Sequence, residues 1–91
     1  MKVGFIGCGN MATAIINGIT ANNVVNENDI NAYDIFDGAT GKLKENININ
    51  ICQSEKDVVK SSDIIFLAVK PNVQASVLNK IDGEIKDKLI I

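Results

Sequence analysis

The sequence predicts an α/β domain built on a doubly wound parallel sheet. Three observations carry that expectation. Short apolar runs alternate with segments of helical periodicity from one end to the other. A glycine-rich turn, Gly7-Cys8-Gly9, joins the first run to the first helical segment. The most apolar run, residues 64–69, is unbroken, as suits a central parallel strand covered on both faces.

The elements follow in order. Residues 2–6 form an apolar run that stops at Gly7, a buried strand. Met11, Ala14, Ile15, Gly18 and Ile19 then share one stripe at helical spacing, and Asn22-Asn23 closes that helix. Residues 30–34 form a second strand. Gly38 and Gly41 loosen the next segment, so the helix over residues 39–45 is expected to be short. Ile47, Ile49 and Ile51 alternate with Asn48 and Asn50, the period of a strand with one wetter face. Ser54-Glu55-Lys56-Asp57 has the pattern of a capped helix start, with Val58 and Val59 as its apolar face. Lys70-Pro71 ends the fourth strand, because proline cannot donate to a ladder. Val73, Val77, Leu78 and Ile81 space out a further helix, and Leu89-Ile90-Ile91 opens a fifth strand. A chain stopping inside an apolar strand reads as the truncated front portion of a longer protein.

Composition narrows the chemistry. Ninety-one residues, 46% hydrophobic and with a net charge of −2, suit one small folded core. There is no His, which removes imidazole bases, Ser-His or Cys-His pairs and His-ligated metals. Cys8 and Cys52 stand far apart without metal or redox spacing and read as reduced thiols. All cationic side chains are lysine, scattered among few aromatics, which argues against a nucleic-acid surface. No apolar run is long enough for a membrane span, and a cytoplasmic protein is expected.

Gly7-Cys8-Gly9-Asn10-Met11-Ala12 is G-x-G-x-x-A between a strand and a helix, the context of a Rossmann-type dinucleotide-binding domain. Gly7 permits the tight turn, Gly9 lets a pyrophosphate approach the backbone, and Ala12 lets helix and strand pack closely. The bland alternative is a plain strand–helix turn. Asp34, at the end of the second strand, is placed to accept the ribose hydroxyls of the adenosine half; otherwise it is a solvated turn residue. Its carboxylate would repel a 2′-phosphate, no Arg exists to bind one, and only Lys42 and Lys44 lie near in sequence. This chemistry leans toward NAD. Ala68, Val69, Lys70 and Pro71 follow the fourth strand at the edge where ligands of such sheets collect; the alternative is a strand terminator with a snorkelling lysine. Cys8 is either a thiol acidified at a helix start or a small residue tolerated there.

Phe5-Ile6-Gly7-Cys8-Gly9-Asn10-Met11 with Ala14-Ile15, and residues 62–73 around Ala68-Val69-Lys70-Pro71-Asn72-Val73, resemble the pyrroline-5-carboxylate reductase family. The resemblance runs through all 91 residues in order. It implies NAD(P)H-dependent hydride transfer to the imine 1-pyrroline-5-carboxylate, giving L-proline, the last step of proline biosynthesis. It further implies that Ile6, Gly7, Cys8, Gly9, Asn10 and Met11 cradle the pyrophosphate. Asp34 would meet the adenosine ribose or its phosphate, and Ala68, Val69, Lys70 and Pro71 would line the nicotinamide ribose. The family leans toward NADP, and Asp34 departs from its usual Ser, Asn or Arg. Glu55 stands where the family often has Asn. The resemblance also implies a helical C-terminal domain, absent from residues 1–91, that makes a homo-oligomer and most of the imine pocket. No catalytic residue is identified, and the chain alone is expected to bind a dinucleotide without turnover. Competing readings are a β-hydroxyacid dehydrogenase or F420-dependent NADP reductase, and a non-catalytic NAD-sensing regulatory domain.

Overall fold

The computed structural model describes residues 1–91, the side chains of Asp37 and Asn46 excepted. Nine principal elements alternate: β1 (Val3–Ile6), α1 (Asn10–Ala21), β2 (Ile30–Tyr33), α2 (Asp37–Asn46), β3 (Asn50–Ile51), α3 (Glu55–Lys60), β4 (Ile64–Leu67), α4 (Pro71–Ile81) and β5 (Leu89–Ile90). The strands form one sheet in the order β3-β2-β1-β4-β5, and every pairing is parallel. Val3 of β1 sits opposite Ile30 on one side and Ile64 on the other, so β1 is the centre of the sheet. The doubly wound expectation holds.

Because side chains alternate across a strand, the sheet carries two cores. Val3, Phe5, Ile30 and Ala32 pack with Ala12 and Ile16 of α1 and Leu43 of α2. Ile6 and Ile65 pack on the opposite face with Val58 and Val59 of α3 and Val77 and Ile81 of α4. Phe5 and Phe66 stack across the strand pair with centroids 4.9 Å apart. Asn31 is a buried polar exception, and it is satisfied. Its Nδ2 donates to the Ser61 carbonyl (2.9 Å) and Ser62 Oγ (3.0 Å), and its Oδ1 accepts from Asn50 Nδ2 (3.1 Å). That network ties β2 to the α3–β4 connection and to β3.

The expected helix start at Ser54 is present, its hydroxyl accepting from the Asp57 N–H at 3.2 Å. Six expectations need correction. The inward face of α1 is centred on Ala12 and Ile16, while Met11, Ala14 and Gly18 are exposed. The second strand ends at Tyr33, because the Asp34 side chain turns back to its own loop. The third strand is only two residues long: the Ile49 N–H bonds to the Ile47 carbonyl, which folds that stretch on itself, though both isoleucines are buried. Finally, β4 is not covered on both faces. Ile64 and Phe66 are only partly buried and border an apolar opening with Met1, Val24 and Ile91. The helix over Asp37–Asn46 is longer than its glycines suggested, and in α4 Val73 and Leu78 face outward. Among the described residues no helix is long and apolar enough to cross a membrane.

Candidate functional site

The carboxyl ends of β1, β2 and β4 converge on one edge of the sheet. Gly7 makes the turn after β1 with φ +99°, the left-handed region open to glycine. Its N–H donates to the Tyr33 carbonyl at 2.8 Å, and a Cβ there would lie 2.5 Å from the Ala68 carbonyl oxygen. The turn is therefore wedged between β2 and the end of β4. Ala68 closes the other side, its N–H donating to the Ile6 carbonyl at 2.9 Å.

Gly9 is the N-cap residue of α1. No side chain caps this helix, and no acid lies in its first turn. The first N–H groups and the positive end of the helix dipole thus remain available to an anion. A Cβ built on Gly9 meets nothing within 4 Å, so the space above the loop is open. Asp34 stands beside it. Its Oδ2 accepts from the Cys8 N–H at 2.7 Å and its Oδ1 from the Phe36 N–H at 2.9 Å. A second lone pair on each oxygen stays free for a diol.

The residues expected from sequence are therefore brought together, with different parts to play. Ile6 is buried and forms the floor. Cys8 is buried among the core residues, and its N–H is engaged by Asp34. Asn10 and Met11 are exposed on the first turn of α1. Lys70 is the N-cap residue of α4 and Pro71 its first residue, where a missing N–H does no harm. Lys44, one of two lysines near Asp34 in sequence, is turned away. Its Nζ donates to Asn48 Oδ1 (2.9 Å) and the Ile49 carbonyl (2.7 Å). Sequence reasoning missed the crevice wall made by Ile35 and Val73 beside Asp34, and the Lys80–Glu55 ion pair at 3.3 Å on its border. Nothing in the local pattern marks an isoleucine after an acid as exposed.

Burial pushes the Cys8 thiol up to about 12, with the Asp34 charge adding to it. Burial also raises Cys52, helped by Asp57 and opposed by a contact with the Ala32 backbone. The acidified-thiol reading of Cys8 is overturned, since the helix end is outweighed by desolvation and a nearby carboxylate. Both thiols should stay protonated at neutral pH. Alkylation by iodoacetamide at pH 7.5 should be at least about 10-fold slower in the folded chain than in urea. Equal rates would contradict the burial of Cys8.

A family described as NADP oxidoreductase, coenzyme F420-dependent, matches residues 2–91. The chain belongs to that family. Within it, the chain is 38% identical over 91 residues to pyrroline-5-carboxylate reductase from Escherichia coli K12, covering 99% of this chain and 34% of the relative. It is 36% identical to pyrroline-5-carboxylate reductase 2 of Rattus norvegicus, covering 100% of this chain and 29% of that protein. A Plasmodium falciparum pyrroline carboxylate reductase with NADP bound superposes with a TM-score of 0.84 at 32% identity, over 99% of this chain and 32% of that one. This family member thus spans about a third of the length of the curated relatives it matches.

Proposed function

We propose that residues 1–91 are the dinucleotide-binding domain of a pyrroline-5-carboxylate reductase. One observation carries the reading: the uncapped start of α1 opens under a clear space over Gly9, with Asp34 fixed at its side. The residues present fit the cofactor, since a pyrophosphate needs that close approach to backbone N–H groups and a ribose needs that acceptor. Gly7, Gly9, Asn10 and Met11 would hold the pyrophosphate over the Ile6 floor, with Cys8 bracing the loop. Asp34 would accept from the adenosine ribose. Ala68, Val69, Lys70 and Pro71 would border the nicotinamide half.

When bound, a reduced nicotinamide supplies the hydride that converts the cyclic imine to L-proline. The contribution of this chain would be orientation: Ala68, Val69, Lys70 and Pro71 would border the nicotinamide half and hold it in place for the imine. A near-attack arrangement contributes roughly 7–11 kcal/mol to such a step and requires a second wall against the substrate. Residues 1–91 provide the cofactor wall, so they bind without turning over. The similarity to the reductases over the whole chain supports this choice of reaction.

The reading is tested by replacing the matching segment of the Escherichia coli relative with residues 1–91 and following NAD(P)H oxidation on 1-pyrroline-5-carboxylate. Imine-dependent oxidation is expected. A folded chimera that binds dinucleotide but never reduces the imine would favour the regulatory-domain reading.

A further inference from the structure

We infer that Met11 is a reversible oxidation site, and that its sulfoxide weakens the grip of the dinucleotide site. The inference rests on the dinucleotide reading above and adds a means of regulating that site.

Met11 stands out first by its exposure. It is an apolar side chain 63% open to solvent, and it is the second residue of α1. The inward face of that helix belongs instead to Ala12 and Ile16, so packing does not account for a thioether here. A long side chain on a helix leans toward the helix start, and methionine has three flexible bonds. Its sulfur is thus within reach of the first N–H groups of α1, which no side chain caps. In the reduced form the thioether is a poor acceptor and leaves those donors to an anion.

The other sulfur atoms are shielded or remote. Cys8 is buried, and burial together with the Asp34 charge pushes its thiol well above its ordinary value. Cys52 is half-buried and shifted the same way. Cysteine oxidation proceeds through the thiolate, so both resist it, whereas a thioether needs no deprotonation. Met1 is exposed, but it precedes β1 and lies at the opposite end of that strand from Gly7. An oxidant reaching the loop therefore meets one accessible sulfur, that of Met11.

The step balances with a hydroperoxide as oxidant. A sulfur lone pair attacks one peroxide oxygen and the O–O bond breaks. The proton of the attacked oxygen passes to the departing one, which leaves as water or an alcohol. Sulfur loses two electrons and the peroxide gains them. The product carries a polar S–O bond whose oxygen accepts hydrogen bonds, which the thioether hardly does. At the start of α1 that oxygen takes N–H groups a pyrophosphate otherwise uses, a cap supplied by the helix itself. A sulfoxide reductase restores the thioether and the open site.

The test treats the 91-residue chain, and its Met11→Leu variant, with hydrogen peroxide that is then removed. Peptide mass mapping follows each sulfur. Calorimetric titration with NADH and with NADPH gives affinity before oxidation, after it, and after sulfoxide reductase. Met11 should oxidise within about 3-fold of its rate in urea, while both thiols stay reduced. Affinity should fall about 5- to 10-fold, the scale of one hydrogen-bonded contact, and the reductase should restore it. The thermal midpoint of the unliganded chain should hold or rise, because the new acceptor caps the helix; a merely disruptive lesion would lower it. In Met11→Leu, peroxide should leave affinity where that variant started. Unchanged affinity in a fully oxidised parent, an equal loss in Met11→Leu, or a loss that tracks a thiol overturns the inference and leaves the dinucleotide site standing. So does a Met11 that oxidises far more slowly than in urea, or a midpoint that falls together with affinity. Failure of the parent to bind either dinucleotide before oxidation overturns the site itself, and the inference with it.

Discussion

Replacing Gly7 with Ala should destabilise the chain by roughly 2–4 kcal/mol, because a left-handed backbone and a backbone collision penalise the same methyl group. At φ +99° an L side chain is already strained. Its Cβ would also lie 2.5 Å from the oxygen and 2.8 Å from the carbon of the Ala68 carbonyl. Those atoms are main chain and cannot swing away. Moving them would disturb the Ala68 N–H bond to Ile6 that closes β4 against β1. Small domains have only about 5–15 kcal/mol of stability in total. Urea unfolding followed by circular dichroism should show a large drop in midpoint with little change in slope. A midpoint equal to that of the parent would mean that the turn relaxes in a way this geometry does not allow.

Gly9→Val should separate the cofactor site from the fold. The backbone at Gly9 is extended, with φ −79° and ψ −164°, which a valine adopts readily. A Cβ there meets nothing within 4 Å, so the side chain enters open space. Loss of a glycine N-cap costs up to about 1 kcal/mol. The two added methyl groups stand where a pyrophosphate must approach the first N–H groups of α1. Affinity for NADH should therefore fall on the order of 100-fold or more, since charge-assisted bonds to the helix end are lost together. Titration alongside thermal unfolding checks both halves. A variant that binds like the parent would remove the basis for the loop assignment.

The alternation of strands and helices, the parallel sheet and the meeting of the loop, Asp34 and the segment after β4 were legible in the sequence; the order of the strands across the sheet was not. Glycine spacing and unbroken apolar runs are short-range signals with few physical interpretations. The orientation of α1 was not. Met11, Ala12, Ala14, Ile15, Ile16 and Ile19 are apolar over more than half the helix circumference, so spacing alone admits several faces. The close packing that G-x-G-x-x-A demands of Ala12 settles which one is buried, and Ile16 follows one turn later. For β3 the alternation of isoleucines and asparagines correctly signalled burial, but a local bond between Ile49 and Ile47 replaced part of the ladder. The tether on Asp34 was invisible for a different reason. A bond from Cys8 joins loops of two strands, and only their adjacency in the sheet creates it.

The all-parallel pairing also sets an order in time. No two strands of this sheet form a hairpin, so no strand–strand bond can be made by a short stretch of nascent chain. The central strand β1 is the first to be synthesised. It waits for Ile30 and its neighbours before gaining one partner, and for Ile64 and its neighbours before gaining the second. Its apolar side chains stay unsheltered throughout that interval, when contacts with other emerging chains compete with the native ones. The strand that ends deepest in the folded protein is thus the one that spends longest without cover while the protein is being made.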